Sequence, residues 1–501
     1  MAKDTDQKTN GAGVSPDADI LRNSEIRNGE FIRYYGKSSE VTVPDTVATI
    51  CEGAFRGNQK LTRVVLGKNV TVVQPNAFRG CTHLRSIVFP AGLRLIGDDA
   101  FRDCVSLTTV LLPRAVISVG AGAFRGCSAL RTVSLSCVQS LGAYAFGDCV
   151  ALEELTLPEN LTAIYRGTFF NCAALRTVEI PEKLETVGRY AFARCSSLES
   201  LTLPDSVTYL GSGALFECAS LRTFRVPPQV RFIGDSQFSC CTSLESVELP
   251  ERASYIGINA FCACHNLSSI TLPKNLVRIG PSAFLHCKSL TKIEIPESVE
   301  EIGKRAFAYC LSLAKAEIRA SLTAIEDESF LSCFALEEIV VPSSVRRIGD
   351  KAFMHCVALS SLRLPGGLEL IEEYAFAGCE SLAEVSLPSS LRAVEDHVFA
   401  DCTALRIAIL PEHRIGVGYS IFAGCDALET LVVPDSHRLF RYRLDRWEVP
   451  SETQIVLHGE LQLSLLFAEM SDPATDEERR RELQREIRKG LARTGHIRRK
   501  K

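Results

Sequence analysis

Cysteine is the residue type here with the most chemistry on offer. Sixteen of the 20 cysteines recur in one register: Cys81, Cys104, Cys127, Cys149, Cys172, Cys195, Cys218, Cys241, Cys264, Cys287, Cys310, Cys333, Cys356, Cys379, Cys402 and Cys425. Asn58 takes the first place in the series. Disulfides need Cα atoms within bridging range, which stacked units would supply. Each interior cysteine would then have two equivalent neighbours, so no unique pairing is specified. Zinc needs four ligands converging on a point, whereas this column runs along a line. Off the register stand Cys51, Cys137, Cys240 and Cys262. Cys262, Cys264 and His265 make the densest cluster, CACH, but no partner pair accompanies it. The reading that remains is cysteine as a small buried hydrophobe with a reduced thiol, and no metal or cofactor is expected. The 9 histidines do not follow the repeat. No Ser/His/Asp set, phosphate loop or paired carboxylates stand apart from it, so no catalytic residue is assigned and the chain reads as non-enzymatic.

The elements that position these cysteines form a strict repeat. A phenylalanine lies three residues before each place of the column: Phe55, Phe78, Phe101, Phe124, Phe146, Phe169, Phe192, Phe238, Phe261, Phe284, Phe307, Phe330, Phe353, Phe376, Phe399 and Phe422. Leu215 holds the missing place, giving 17 copies spaced by 23 residues, except that Phe124 and Phe146 are 22 apart. So short a unit cannot bury its own apolar face, and the stable solution is a stack. In the copy from Cys149 to Cys172, Leu152, Leu155 and Leu157 read as an inward-facing strand that Pro158 helps to end. Leu161 and Ile164 begin the return. Phe169, Cys172 and Leu175, three apart, predict a short helical or 3₁₀ turn. The fold class is therefore an α/β repeat solenoid of about 17 coils, with parallel strands and short helical or 3₁₀ turns, capped at both ends. A glycine four residues before most of the phenylalanines, for example Gly97, Gly188 and Gly303, reads as a tight corner and not a ligand site. Bulky substitutes such as Tyr165 and Glu372 argue against an absolute need for positive φ there.

Phrases such as VTVPDTVATICEGAF near the start and LPSSLRAVEDHVFADC near the end resemble the BspA-type leucine-rich repeat family, in register from about residue 40 to 435. The resemblance implies a leucine-rich repeat solenoid, usually without enzymatic activity. It also implies adhesion or host-protein binding, since the family occurs on bacterial and protozoan cell surfaces. The opening MAKDTDQKTNGAGVSPDADI has no apolar core like that of a secretory signal, and no wall-anchoring motif or membrane-length apolar run is visible. A cytoplasmic location is therefore expected, with a surface or secreted protein as the alternative if a signal sequence was removed.

A solenoid offers a long face, so a protein partner is the leading expectation. The exposed strand position forms a ladder reading Val65, Val88, Leu111, Ser134, Thr156, Glu179, Thr202, Arg225, Glu248, Thr271, Glu294, Glu317, Val340, Arg363, Ser386, Ile409 and Val432. The candidate partner-binding residues are its charged members Glu179, Arg225, Glu248, Glu294, Glu317 and Arg363, with Glu294 and Glu317 the best-focused pair. Against this stands a solvated strand face chosen only for β propensity.

Domain organisation is read as a disordered segment over 1–24 and the solenoid with an N-terminal hairpin over 25–435. A C-terminal cap then occupies 436–470 and a basic helical tail 471–501. The hairpin is expected within GEFIRYYGKSSEVTVP. From Glu477 to Lys501, 11 Lys or Arg face 4 Asp or Glu, a net of +7; the whole chain is −4, so the remainder carries −11. Arg488, Lys489, Arg493, Arg498, Arg499, Lys500 and Lys501 are candidates for holding nucleic acid or an anionic membrane, against a merely solvated helix. The oligomeric state is left open.

Overall fold

The computed structural model describes residues 20–135, 137–434 and 444–459, with positions 462, 482, 485, 486 and 489. Residues 1–19, most of the expected cap at 436–470 and most of the basic tail lie outside the described residues. Ile20–Arg22 form a helical turn and Ser24 opens the first strand, so regular structure begins before residue 25.

The chain divides into two compact units, residues 1–230 with 237–244, and residues 231–236 with 245–501. In both, most coils contribute a strand of two to four residues and a two-residue return strand, and most of these pair in parallel with a copy one coil away. The exposed–buried–exposed pattern of Glu154–Thr156 shows why so short a strand suffices: only Leu155 has to reach the core. Behind the strand, the Pro158 carbonyl accepts the Leu161 amide at 3.0 Å, closing the turn into the return segment.

The first unit begins with an antiparallel pair, Ser24–Arg27 with Glu30–Tyr34. Its turn is Asn28-Gly29, both with positive φ, the combination that two-residue hairpins favour. The hairpin thus lies upstream of the expected one, and Glu40–Thr42 pairs instead in parallel with Arg63–Val65. Glu30 and Phe31 also pair with Thr49 and Ile50, which joins the hairpin to the return-strand sheet. Phe rings from Phe31 to Phe192 stack with centroids 4.7–6.0 Å apart. At the shortened copy both ladders break: Thr132–Ser134 and Glu154–Thr156 belong to different sheets, as do Ser140–Leu141 and Ala163–Ile164. The ring column passes through unbroken, with Phe124 and Phe146 stacked at 5.3 Å.

Leu215 interrupts the rings, and its surroundings are rearranged. Phe224, on a strand position, approaches Phe238 to 5.3 Å at a tilted 60°. Gln237 replaces the usual alanine, is fully buried, and leaves both polar atoms of its side-chain amide without a partner among the described residues.

The second unit repeats the plan more regularly. Its rings from Phe261 to Phe422 stack at 5.2–6.1 Å. Four strands from Lys292–Ile295 to Ser361–Arg363 form one ladder, and five return strands from Ala324–Ile325 to Gly416–Val417 form another. Thr430–Val433 pairs onward with Gln454–Leu457, and the short helix Leu444–Trp447 buries Trp447.

Of the two alternatives expected after each phenylalanine, a helical or a 3₁₀ turn, the structure has the i→i+3 bonds of the second, as two consecutive turns and not as a helix. Cys287 N–H donates to Phe284 O and Leu290 N–H to Cys287 O, both at 3.1 Å. Between them His286 takes a left-handed φ of 62°, and Asp103 at the equivalent place in the first unit takes 61°. A right-handed helix cannot run through such a residue. The corner glycines behave differently. A Cβ on Gly97 would lie 2.6 Å from the Pro75 nitrogen, and one on Gly303 would lie 2.4 Å from the Pro281 nitrogen; neither has positive φ. Close approach to the preceding coil sets that preference.

Candidate functional site

The repeat-register cysteines, from Cys81 to Cys425, are buried, and all 20 cysteines are free thiols. Most of the column thiols have a defined partner. Cys104 Sγ donates to Phe78 O at 3.2 Å, Cys172 to Phe146 O at 3.3 Å, and Cys333 to Phe307 O at 3.2 Å, each reaching back one coil. The phenylalanine carbonyl therefore receives an amide from its own coil and a thiol from the next. Burial pushes the Cys81 and Cys356 thiols up to about 12. A protonated S–H is what this bond requires, so the column is a packing device and not a nucleophile.

The candidate partner-binding residues all lie on strands, four of them as the last residue and Glu294 and Glu317 one residue before it. In the first unit Glu179 ends Thr177–Glu179 and accepts a bond from Thr156 Oγ1 at 2.9 Å. Arg225 ends Thr223–Arg225 and pairs with Asp205 at 2.8 Å. The apolar start of the ladder is open to solvent, with Leu111 63% exposed.

In the second unit Glu248 is exposed at the end of Ser246–Glu248. Glu294 and Glu317 are direct parallel partners, as the sequence placed them. They are not a bare acidic pair. Lys292 contacts Glu294, and Arg319 lies 2.8 Å from Glu317 and 3.8 Å from Glu294. The Lys292 hydrogen bond holds the Glu294 carboxyl below its ordinary value. Arg363 is exposed opposite Val340, with no ion pair among the described residues. At the far end Val432, apolar as expected, is only 1% exposed because Gln454–Leu457 pairs beside it. Of the tail candidates, Lys489 is exposed on a helical residue. Arg488, Arg493, Arg498, Arg499, Lys500 and Lys501 lie outside the described residues.

A second polar ladder escaped the sequence reading. It uses the left-handed residues on either side of each phenylalanine. In the first unit left-handed Asp148 accepts from left-handed Asn171 at 3.0 Å and also pairs with Arg125, the neighbour of left-handed Gly126, at 3.1 Å. In the second, Arg305 grips Glu328 through two bonds of 2.7 and 2.8 Å, and the His286 ring stacks on Tyr309 at 4.7 Å. The recurrence of Gly, Asn and Asp two residues after many of the phenylalanines was its available signal. Nearby, Arg347 lies between Glu326 at 2.6 Å and Glu372 at 2.8 Å, both standing where other coils have glycine. No group of three or more metal-ligating side chains occurs among the described residues.

Parallel short strands, an inward leucine ladder and one repeated turn per 23 residues define a leucine-rich repeat solenoid. The family model for the BspA type leucine rich repeat region (6 copies) matches residues 24–138, 133–242, 231–358 and 323–444, and the chain belongs to that family. It is similar to a crystal structure of a leucine-rich repeat protein from Bacteroides ovatus, at 27% identity and a TM-score of 0.57, covering 73% of this chain and 87% of that one. A leucine-rich repeat protein from T. pallidum is 34% identical, with a TM-score of 0.33, over 34% of this chain and 82% of that one. A leucine-rich cell surface protein from Faecalibacterium prausnitzii is 21% identical, with a TM-score of 0.32, over 80% of this chain and 89% of that one. No curated protein matches the sequence. Leucine-rich repeat proteins generally mediate protein–protein interaction. No described helix is long and apolar enough to cross a membrane.

Proposed function

We propose that the chain is a non-enzymatic scaffold that binds a partner protein along the strand face of its coils, in the cytoplasm. The observation that carries this reading is the ladder itself. Parallel pairing sets one outward side chain per coil in register, Glu294 on Glu317 and Val340 on Arg363, on a backbone that needs those side chains for nothing else. Such a row presents contacts at roughly 4.8 Å intervals, the spacing an extended partner surface can read. The cysteine column supports a reducing compartment, because each thiol must keep its proton to bond the neighbouring carbonyl.

Photo-crosslinkers placed at Glu248, Glu317 and Arg363, with others at the opposite turns, test the face. Partner crosslinks confined to the strand positions are expected; crosslinks confined to the turns overturn the reading. Protease shaving of intact native cells tests the compartment. Repeat peptides released only after lysis are expected, whereas release from intact cells with a cytosolic marker protected identifies a surface adhesin. Salt-sensitive binding lost on deleting residues 475–501 would shift the function to nucleic acid or an anionic membrane.

A further inference from the structure

The strand face of the first unit opens beside Glu179. Thr177–Glu179 pairs on one side with Glu154–Thr156. On its other side the next segment, Ser200–Thr202, is in no sheet, and Ser200, Leu201 and Thr202 make no hydrogen bond among the described residues. The opening is a cleft of about 360 Å³ lined by Thr177, Val178, Glu179, Ile180, Glu182, Ser200, Thr202 and Pro204. Val178 is only partly buried there, whereas Leu155, its partner one coil earlier, is buried.

The charges in the cleft are one-sided. Neither Glu179 nor Glu182 has an ion pair among the described residues. The nearby cations are directed elsewhere: Lys183 bonds Asn160 at 3.3 Å, and Arg225 is held by Asp205. A space of this size, with an apolar floor and a few polar groups converging on it, has the character of a ligand site. The unbonded amides and carbonyls of Ser200–Thr202 are the kind of group an extended chain pairs with, while the two carboxylates call for a cation with hydrogen-bond donors.

We propose that this cleft receives an extended segment of the partner protein and takes a lysine or arginine side chain of that segment between Glu179 and Glu182. The segment's backbone pairs with the open groups of Ser200–Thr202. This inference rests on the scaffold reading above and supplies the chemistry of the partner.

The test uses the full chain and a fluorescein-labelled peptide, TVKVT, followed by fluorescence anisotropy. The controls are the same peptide with norleucine for lysine and an unlabelled peptide of residues 491–501. The double variant Glu179→Gln, Glu182→Gln should bind TVKVT about tenfold more weakly or worse, the scale of a lost charge-assisted hydrogen bond. Norleucine should cost wild type as much, and Thr202→Trp, which fills the mouth, should also abolish binding. Circular dichroism of both variants should match wild type. Equal binding by wild type and the double variant, or of the lysine and norleucine peptides, overturns the proposal. Tighter competing binding by the 491–501 peptide also overturns it, since the occupant would then be a tail of this chain. Crosslinked partner retained at full yield by the double variant removes the cleft but leaves the scaffold reading. Tight lysine-peptide binding with crosslinks only at the turns removes the scaffold reading instead.

Discussion

Two stretches of strand face carry a pair of acidic residues, on neighbouring coils at Glu294 and Glu317 and within one coil at Glu179 and Glu182, and they differ in almost every other respect. Around Glu294 and Glu317 in the second unit, the ladder is intact, the phenylalanine stack is complete, and Lys292 and Arg319 cover the carboxylates. Around Glu179 and Glu182 in the first, the ladder is open and the carboxylates have no ion-pair partner among the described residues. The open segment belongs to the coil whose ring is missing at Leu215, next to the unpaired amide of Gln237. Charge in register is thus a poor guide to where a partner can be held. What distinguishes the two places is the supply of counter-ions and of unpaired backbone.

The largest expected effect compares the cores. Phe307→Ala should cost about 3–5 kcal/mol, measured by chemical denaturation, because a ring is lost from a complete stack. Leu215→Ala should cost less, about 2–3 kcal/mol, as a smaller group leaves a looser site. Equal costs would dissolve the contrast between the coils. Gln237→Leu should raise stability by about 1–3 kcal/mol, since it removes a buried amide that has no partner. A loss instead would mean that the amide is satisfied in solution. Smaller still, Arg319→Ala should change stability by less than about 1 kcal/mol. It should nonetheless let Glu294 and Glu317 bind the lysine peptide, converting the quiet pair into one like Glu179 and Glu182. If affinity stays unmeasurable, the open backbone is the more important of the two features.

The smallest effect is in titration. Lys292 lowers the Glu294 carboxyl, so its stabilising contribution is present above the ordinary carboxylate range and is lost as pH falls through the lowered value. Glu395 goes the other way, raised by burial and then by Glu372. Its ionised form costs stability as pH rises past the ordinary value, and protonation relieves that cost. Carboxyl carbon NMR should therefore find Glu294 titrating below and Glu395 above an ordinary glutamate, and Glu395→Gln should stabilise at neutral pH only.

Most of the coil was legible because its period is enforced by burial. The Phe and Cys registers, the inward leucines and the proline turn follow from a unit that must stack. The Asn28-Gly29 hairpin was also readable, from a dipeptide that favours positive φ, but the strand expected downstream obscured it. Three-residue spacing left helix and 3₁₀ turn undecided at Phe169–Cys172–Leu175, because successive i→i+3 turns and a helix share that spacing until one φ changes sign. The corner glycines follow from distances between coils, and a single chain's pattern carries no such distances. The same limit hid the counter-ions of Glu294: Lys292 is two residues away in sequence, but Arg319 is 25. No sequence signal announced the open ladder at Ser200, although the absent phenylalanine at Leu215 marked its coil as unusual.

The bonded thiols have one further consequence. From Cys81 onward each repeat carries a sulfhydryl at the same depth, and Cys137 is exposed. Cys137 should alkylate at once, and each interior sulfur only when its own turn opens. Alkylation rates read by mass spectrometry would then form a built-in ruler, reporting how readily the chain unzips at each step along its length.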